Sequence, residues 1–509
     1  MIGLASVAVE KHRRSTKSEK RELLTAEVLP RWAQRCLPAA GGLRPTGRRA
    51  AFVTLPTIEN ISSRIAARVE RLPLGKFHRR FIALVSLGNF FDIYDIFVVA
   101  YIGAALQQSG FLSLKQFSFL VASGFLGMFF GTIFFGMGSD RMGRRASFIT
   151  LLLIYSVFTL AAAFAPSAGW LIVTRFFAGV GIGAEIVVID TYVTEIVPSH
   201  ARGRYVAITQ VAGFCAVPVA AILSRLLLPT HFLMAGWRWV MVIGGSGALL
   251  TWWFRRRLPE SPRWLESRGR VEEADAALRA LEAESFAKAP PTPVTAAAEP
   301  APPKSQTERG RFAELWRPPY LRRTVMLIIF QALQTVGFYG FANWAPTFLL
   351  KRGFSLVHSL QYTMLIALIS PVGPILCAWT ADRLERKWTI VALALLVAGL
   401  GLGFGNARTP EEVVAFGALL TLCNYWFSAA FHAFQAELFP TRIRATGVGF
   451  TYSWSRLSAA FSSLLIGAVL VYGVPAVFAL LAVAMTGVAV IVAAMGPRTN
   501  RVGLEELSG

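Results

Sequence analysis

Apolar runs about 20 residues long recur along the chain, separated by short polar loops. That is the length a helix needs to cross ~30 Å of hydrocarbon at 1.5 Å of rise per residue. A lone run is compatible with a buried core helix; a dozen are not. The pattern predicts twelve spans, near 81–103, 116–137, 147–164, 169–194, 205–228, 236–254, 323–349, 360–380, 389–406, 412–436, 446–470 and 475–495. The expected fold class is an all-α membrane protein. Two polar stretches fall outside the spans. Residues 1–75 have no apolar core and no signal-peptide h-region, and read as a disordered cytoplasmic tail, as the product of a start codon placed too far upstream, or as a tail that binds anionic lipid. Residues 258–322 interrupt the spans: "RWLESRGRVEEADAALRALEAES" puts Leu265, Val271, Ala274, Leu278 and Leu281 at helical spacing, which predicts an amphipathic helix. "KAPPTPVTAAAEPAPPKS" after it reads as a Pro/Ala linker. The expected organisation is a tail (1–75), a six-helix half (76–257), this loop (258–322), a second six-helix half (323–496) and a short tail (497–509).

Composition and charge settle the broad class. Of 509 residues 54% are hydrophobic, and the net charge is +22. On a soluble chain that charge points to nucleic acid. Here it sits in the long N-terminal tail and in alternate loops ("GKFHRR", "DRMGRR", "ARGR", "WFRRR", "RPPYLRR", "DRLERK", "TRIRAT"), while "KRGFSLVH" departs mildly from the bias. That is the positive-inside pattern of a multi-pass bacterial inner-membrane protein with both termini cytoplasmic. It implies a bilayer partner and no nucleic acid. Cys36, Cys215, Cys377 and Cys423 have no metal-like spacing, so neither disulfide, metal nor other cofactor is expected.

The chain repeats itself. Asp140 and Asp382, Glu195 and Glu437, Pro198 and Pro440, and Arg202 and Arg444 each lie 242 positions apart. "SDRMGRR" becomes "ADRLERK", and "TEIVPSHARG" becomes "AELFPTRIRA". Both copies fall in loops on the same side, so each repeat holds an even number of spans, and six fits. Two parallel six-helix halves around a central cavity form a transporter architecture.

"GMGSDRMGRR" resembles the loop between spans 2 and 3 of the major facilitator superfamily, and "YVTEIVPSHARGR" and "LPESPRWL" resemble its sugar-porter branch. The resemblance covers residues 76–496. It implies cytoplasmic gating networks built from Asp140, Arg141 and Arg144, their weaker copy Asp382 and Arg383 beside Arg386 and Lys387, and Glu195 with Arg204 and Glu437 with Arg444. The sugar-binding pattern itself is altered. Span 7 reads "LQTVGFY", keeping Gln334 but replacing a second Gln by Leu333 and an Asn by Tyr339; His432 replaces a span 10 aromatic. "GVGIGAE" and "RATGVGFTYSWSRLSAA" resemble instead the organic-acid and metabolite:proton symporters, with Glu185 and Arg456 as their distinguishing charges. The glycines of "GVGIGAE" do not form a nucleotide loop, since no strand precedes them and no GK[ST] follows; close helix packing explains them.

Ionisable groups at bilayer depth are costly, so each is a functional candidate. The spans hold Asp92, Asp95, Arg175, Glu185, Asp190, His432 and Arg456. Counting in from Phe81, Asp95 lies ~21 Å from the cytoplasmic face; counting in from Trp170, Arg175 lies ~22 Å from it. The resemblance independently makes Asp95 and Arg175 the proton-coupling pair. The alternatives are a static ion pair or no contact. Asp92, one turn from Asp95, is a second proton site, a substrate acceptor or a packing residue. Arg456 suits a carboxylate through bidentate hydrogen bonds, or else pairs with an acid of its own half or snorkels to the cytoplasmic side. His432, Gln334, Tyr339, Gln210 and Glu185 complete the candidate substrate contacts. The reading is a proton-coupled symporter of a small polar metabolite, an organic acid before a sugar or polyol, working as a monomer and not an enzyme. A membrane sensor on the same scaffold is the rival class, and it would need a folded signalling domain that the polar segments do not supply.

Overall fold

The structure, a computed structural model, describes residue 65 and residues 67–256, 258–286, 312–380, 383–439 and 441–498. The described residues fall in one compact unit; Met1–Pro56 lie outside them. The linker expected after residue 286 and the C-terminal tail from residue 499 lie outside them too.

Among the described residues twelve long helices follow one another, at the places the apolar runs predict. In the first half they are α1 (Lys76–Gln108), α2 (Leu114–Met142), α3 (Arg144–Ala163), α4 (Ala168–Ile196), α5 (Ser199–Phe214 and Ala216–Leu227) and α6 (Gly236–Arg255). In the second half they are α7 (Tyr320–Ala342), α8 (Leu356–Ala367 and Val372–Thr380), α9 (Arg386–Asn406), α10 (Pro410–Glu437), α11 (Thr441–Val469) and α12 (Val474–Met495). Ten of them are long and apolar enough to cross a membrane; α4 and α6, with 29 and 20 residues, complete the set. The breaks in α5 and α8 fall beside Pro218 and Pro371, where the ring removes a backbone donor. Ser167 caps α4, and Thr409 with Glu412 forms a capping box on α10.

The two halves share one packing scheme. In the first, α2 packs on α4, α3 on α4 and α6, and α1 on α5 and α6; in the second, α8 packs on α10, α9 on α10 and α12, and α7 on α11 and α12. Each contact recurs six helices later, as the 242-residue repeat requires. The halves meet along α2–α11 and α5–α8, which are themselves exchanged by the same shift. Within the first half α2 and α4 approach backbone to backbone. A Cβ on Gly127 or Gly131 would overlap the carbonyls of Phe176 and Val180, and one on Gly183 would overlap Met128. Thr132 Oγ1 donates to the Gly183 carbonyl at 2.9 Å. The glycines of "GVGIGAE" therefore serve helix packing.

Two expectations for the polar segments are corrected. The tail does not extend to residue 75, because Ile65, Val69 and Leu72 are buried in a cluster with Leu258, Trp264, Leu278 and Leu281. Arg68 pairs there with Glu282 at 2.7 Å and Asp275 at 2.5 Å, and its hydrogen bond holds the Asp275 carboxyl below the usual carboxylate range. The single amphipathic helix is two, Pro262–Ser267 and Val271–Phe286. Gly269, at φ +74°, turns the chain between them, a conformation open to glycine and costly for the neighbouring residue types.

Candidate functional site

Three sets of polar groups centred on buried charges stand out in the bundle. The first joins α1 to α4. Arg175 Nη1 donates to Asp95 Oδ2 in close contact, and Nη2 reaches the Asp95 carbonyl at 3.3 Å. Thr159 of α3 donates to the other carboxylate oxygen at 3.3 Å. The side chains of Arg175 and Asp95 are 4% and 1% exposed, so a full charge on either is tolerable only while the other opposes it. The structure brings these two together, as the matched counts of rise per residue along α1 and α4 expect. Arg175 also lines a hollow of about 10 Å³ with Gly124 and Phe125, room for about one water molecule.

The second set joins α1, α4 and α6. Glu185 is in close contact with Arg255, both fully buried, and Asp92 beside them is fully buried as well. Glu185, expected among the substrate contacts, thus faces the α6 arginine. The same pairing corrects the reading of Arg255 as a loop charge of "WFRRR". Sequence reasoning missed Arg255 because the first of three consecutive arginines looks like a membrane-edge anchor. The signal was its place directly after "LLTWWF", one residue inside the helix end.

The third set is in the second half. Arg456 of α11 donates to the hydroxyls of Tyr339 on α7 and Tyr452 on α11, each at 2.8 Å. The residue is 2% exposed, and among the described residues no carboxylate pairs with it. An amide chain runs alongside. Gln334 donates to Gln331 at 3.1 Å, Gln331 to Gln435 at 3.2 Å, and the Gln435 amide meets His432 Nδ1 at 3.1 Å. The His432 ring lies 5.7 Å from that of Tyr452. Four expected substrate residues, Arg456, His432, Gln334 and Tyr339, thus fall into one network. Gln331, Gln435 and Tyr452, which sequence reasoning missed, link them; polar residues one turn away from the candidates were the available signal. Gln210 lies half-buried on α5.

Tyr339 connects this network to an aromatic chamber between the halves. Its ring packs on Phe338 at 5.0 Å, Phe125 at 4.7 Å and Phe97 at 6.4 Å; Tyr425 in turn contacts Phe338 and Phe214. Phe97, Phe338, Thr421, Asn424 and Tyr425 line the chamber, and the Asn424 Oδ1 and Tyr425 Oη atoms have no hydrogen-bond partner among the described residues.

At the end of the bundle with the basic loops, the expected charge networks are rearranged. Glu195 pairs with Arg144 at 3.1 Å, whereas Arg204 is exposed and makes no ion pair among the described residues. Glu437 pairs with Arg386 at 2.6 Å. Arg383 is exposed and lies over the Trp379 ring. Glu260 of "LPESPRWL" accepts from the backbone N–H groups of Arg144 and Arg145 at 2.9 and 3.0 Å, capping α3. The side chains of Asp140, Arg141, Asp190 and Arg444, and residue Asp382, lie outside the described residues.

Residues 81–508 match the family of sugar (and other) transporters. The chain belongs to the sugar (and other) transporter family. Like its relatives in that family, it is a multi-pass membrane transporter and not an enzyme. It is 32% identical over 445 residues to the niacin transporter NiaP of Acinetobacter baylyi, covering 87% of this chain and 99% of that one. It is 29% identical over 436 residues to the gallate transporter of Pseudomonas putida, covering 84% and 94%. A partially occluded, inward-open structure of the xylose transporter XylE from E. coli superposes with a TM-score of 0.67 at 19% identity, over 82% of this chain and 98% of that one. The fold of this sugar (and other) transporter is thus the major facilitator fold, twelve transmembrane helices in two six-helix halves.

Proposed function

We propose that the protein is a proton-coupled symporter of a small organic acid, with an aromatic carboxylate as the best-fitting substrate class. The observation that carries this is Arg456, a buried guanidinium whose described partners are two tyrosine hydroxyls and no acid. An uncompensated buried cation is costly, and a substrate carboxylate supplies the missing charge through bidentate hydrogen bonds. The neighbouring chamber holds about 30 Å³ of free space, so a flat ring enters it only as the halves move apart; its aromatic lining then suits such a ring, and the Asn424 and Tyr425 atoms that have no partner among the described residues suit a ring nitrogen or hydroxyl. The niacin and gallate substrates of the two relatives are small aromatic carboxylates, which supports the same reading.

Asp95 carries the coupling proton, and Arg175 is its counter-charge. Protonation of Asp95 releases the guanidinium, and Arg175 reaches the substrate region through Phe125, which it faces across the small hollow and which packs on Tyr339. Arg144–Glu195 and Arg386–Glu437 tie helix ends within each half and act as paired inner gates as the halves rock. The basic loops support a cytoplasmic orientation of this end in a bacterial inner membrane.

The test is uptake by the purified protein in liposomes under an imposed proton gradient. Nicotinate or gallate should accumulate and xylose should not. Accumulation of xylose without either acid, or of none of the three, overturns the reading.

A further inference from the structure

The Asp92, Glu185 and Arg255 cluster has no task in the scheme above. Its three side chains come from α1, α4 and α6, and all three residues are fully buried. Arg255 is held from several sides. Its Nε donates to the Leu84 carbonyl at 3.2 Å, Nη2 donates to the Val85 carbonyl at 3.1 Å, and Nη1 contacts Glu185 Oε1. The Phe148 ring lies 3.8 Å from the guanidinium carbon. Gly88 makes the room, since a Cβ there would overlap the guanidinium. This is a built and rigid site.

Its charge does not balance. Two carboxylates and one guanidinium leave one negative charge in a dry interior. The donors are also short. Neither oxygen of Asp92, nor Oε2 of Glu185, has a hydrogen-bond donor among the described residues. The charged and titratable groups around the pair are otherwise engaged. Arg175 of α4 serves Asp95, the Tyr155 hydroxyl of α3 donates to the Phe91 carbonyl at 2.8 Å, and Asn89, facing α5, donates to the Thr209 carbonyl at 2.8 Å. Asp92 lies one helical turn from Gly88, which abuts the Arg255 guanidinium, so its carboxyl shares this buried pocket with that of Glu185, and the two acids are in contact there only as donor and acceptor. Two ionised carboxylates are both acceptors, so that contact becomes a hydrogen bond only when one of them carries a proton.

We infer that Asp92 and Glu185 form a second proton-binding site, an acid pair sharing one proton under the Arg255 guanidinium, one helical turn from Asp95. One bound proton neutralises the cluster and supplies the missing donor in the same step. The inference deepens the symport reading and rests on it for its purpose, because a second site gives the transporter a second proton to couple.

The test needs no substrate. Infrared spectra of the purified full-length protein at neutral pH should show the carbonyl stretch of a protonated carboxylic acid. Asp92→Asn and Glu185→Gln should each remove it, Asp92→Glu should keep it, and Asp95→Asn should leave it in place. The inference is overturned if wild type lacks the band, or if the band survives whichever of Asp92→Asn and Glu185→Gln folds. Failure of the symport reading has a different signature: wild type takes up neither acid under a proton gradient, whatever the infrared spectrum shows.

Discussion

Arg386 grips Glu437 at 2.6 Å, and the same pairing, Arg144 on Glu195 at 3.1 Å, occurs 242 positions earlier. The two ion pairs are equivalent points of the two halves, each joining the start of the third helix of its half to the end of the fourth. Their side chains are 12–23% exposed, between the surface and buried extremes, so each pair should contribute about 1 kcal/mol. A double-mutant cycle with Arg386→Gln and Glu437→Gln, read by thermal unfolding of the purified protein, should give a coupling energy near that value. Additive single effects would show that the contact carries no energy of its own.

Arg456→Ala should weaken carboxylate binding about ten- to hundredfold, the worth of losing charge-assisted hydrogen bonds, and weaken a neutral amide analogue far less. Arg456→Lys should recover only part of the loss, because an ammonium cannot make the planar bidentate contact. Calorimetric titration of nicotinate against nicotinamide separates the two. Equal losses for both ligands would make Arg456 a structural residue.

Asp95→Asn should abolish gradient-driven accumulation and spare exchange of substrate across the membrane, since the amide keeps the shape of the carboxylate but binds no proton. Counterflow in liposomes measures exchange, and imposed-gradient uptake measures coupling. Full accumulation by the variant would place the coupling proton elsewhere.

Gly183→Ala should destabilise the protein by about 1–3 kcal/mol, because its methyl group has no space against α2 at Met128. Gly399→Ala is the contrasting case. No atom lies within 4 Å of a Cβ built there, and alanine favours the helix, so the change should be neutral or slightly stabilising. Unfolding midpoints of the two variants in detergent would show whether close packing of α2 on α4, rather than helix propensity, sets the order.

The sequence by itself determined the architecture. Span length follows from bilayer thickness, and the repeat from residues recurring at one offset. These are one-dimensional signals, and the twelve helices and their duplicated packing lie where the signals place them. Depth along a helix is also one-dimensional, which is why the sequence alone matches Asp95 with Arg175. Azimuth and partner choice are not. Only the tertiary structure decided that Glu185 faces Arg255, that Glu195 takes Arg144 rather than Arg204, and that Gln334 reaches His432 through Gln331 and Gln435. Each partner lies on another helix or is brought within reach by one, and a buried charge pairs with whatever counter-charge the packing leaves nearest. So the acids and bases of this transporter were legible in the chain, while the bonds among them came from the way the helices turn their faces to one another.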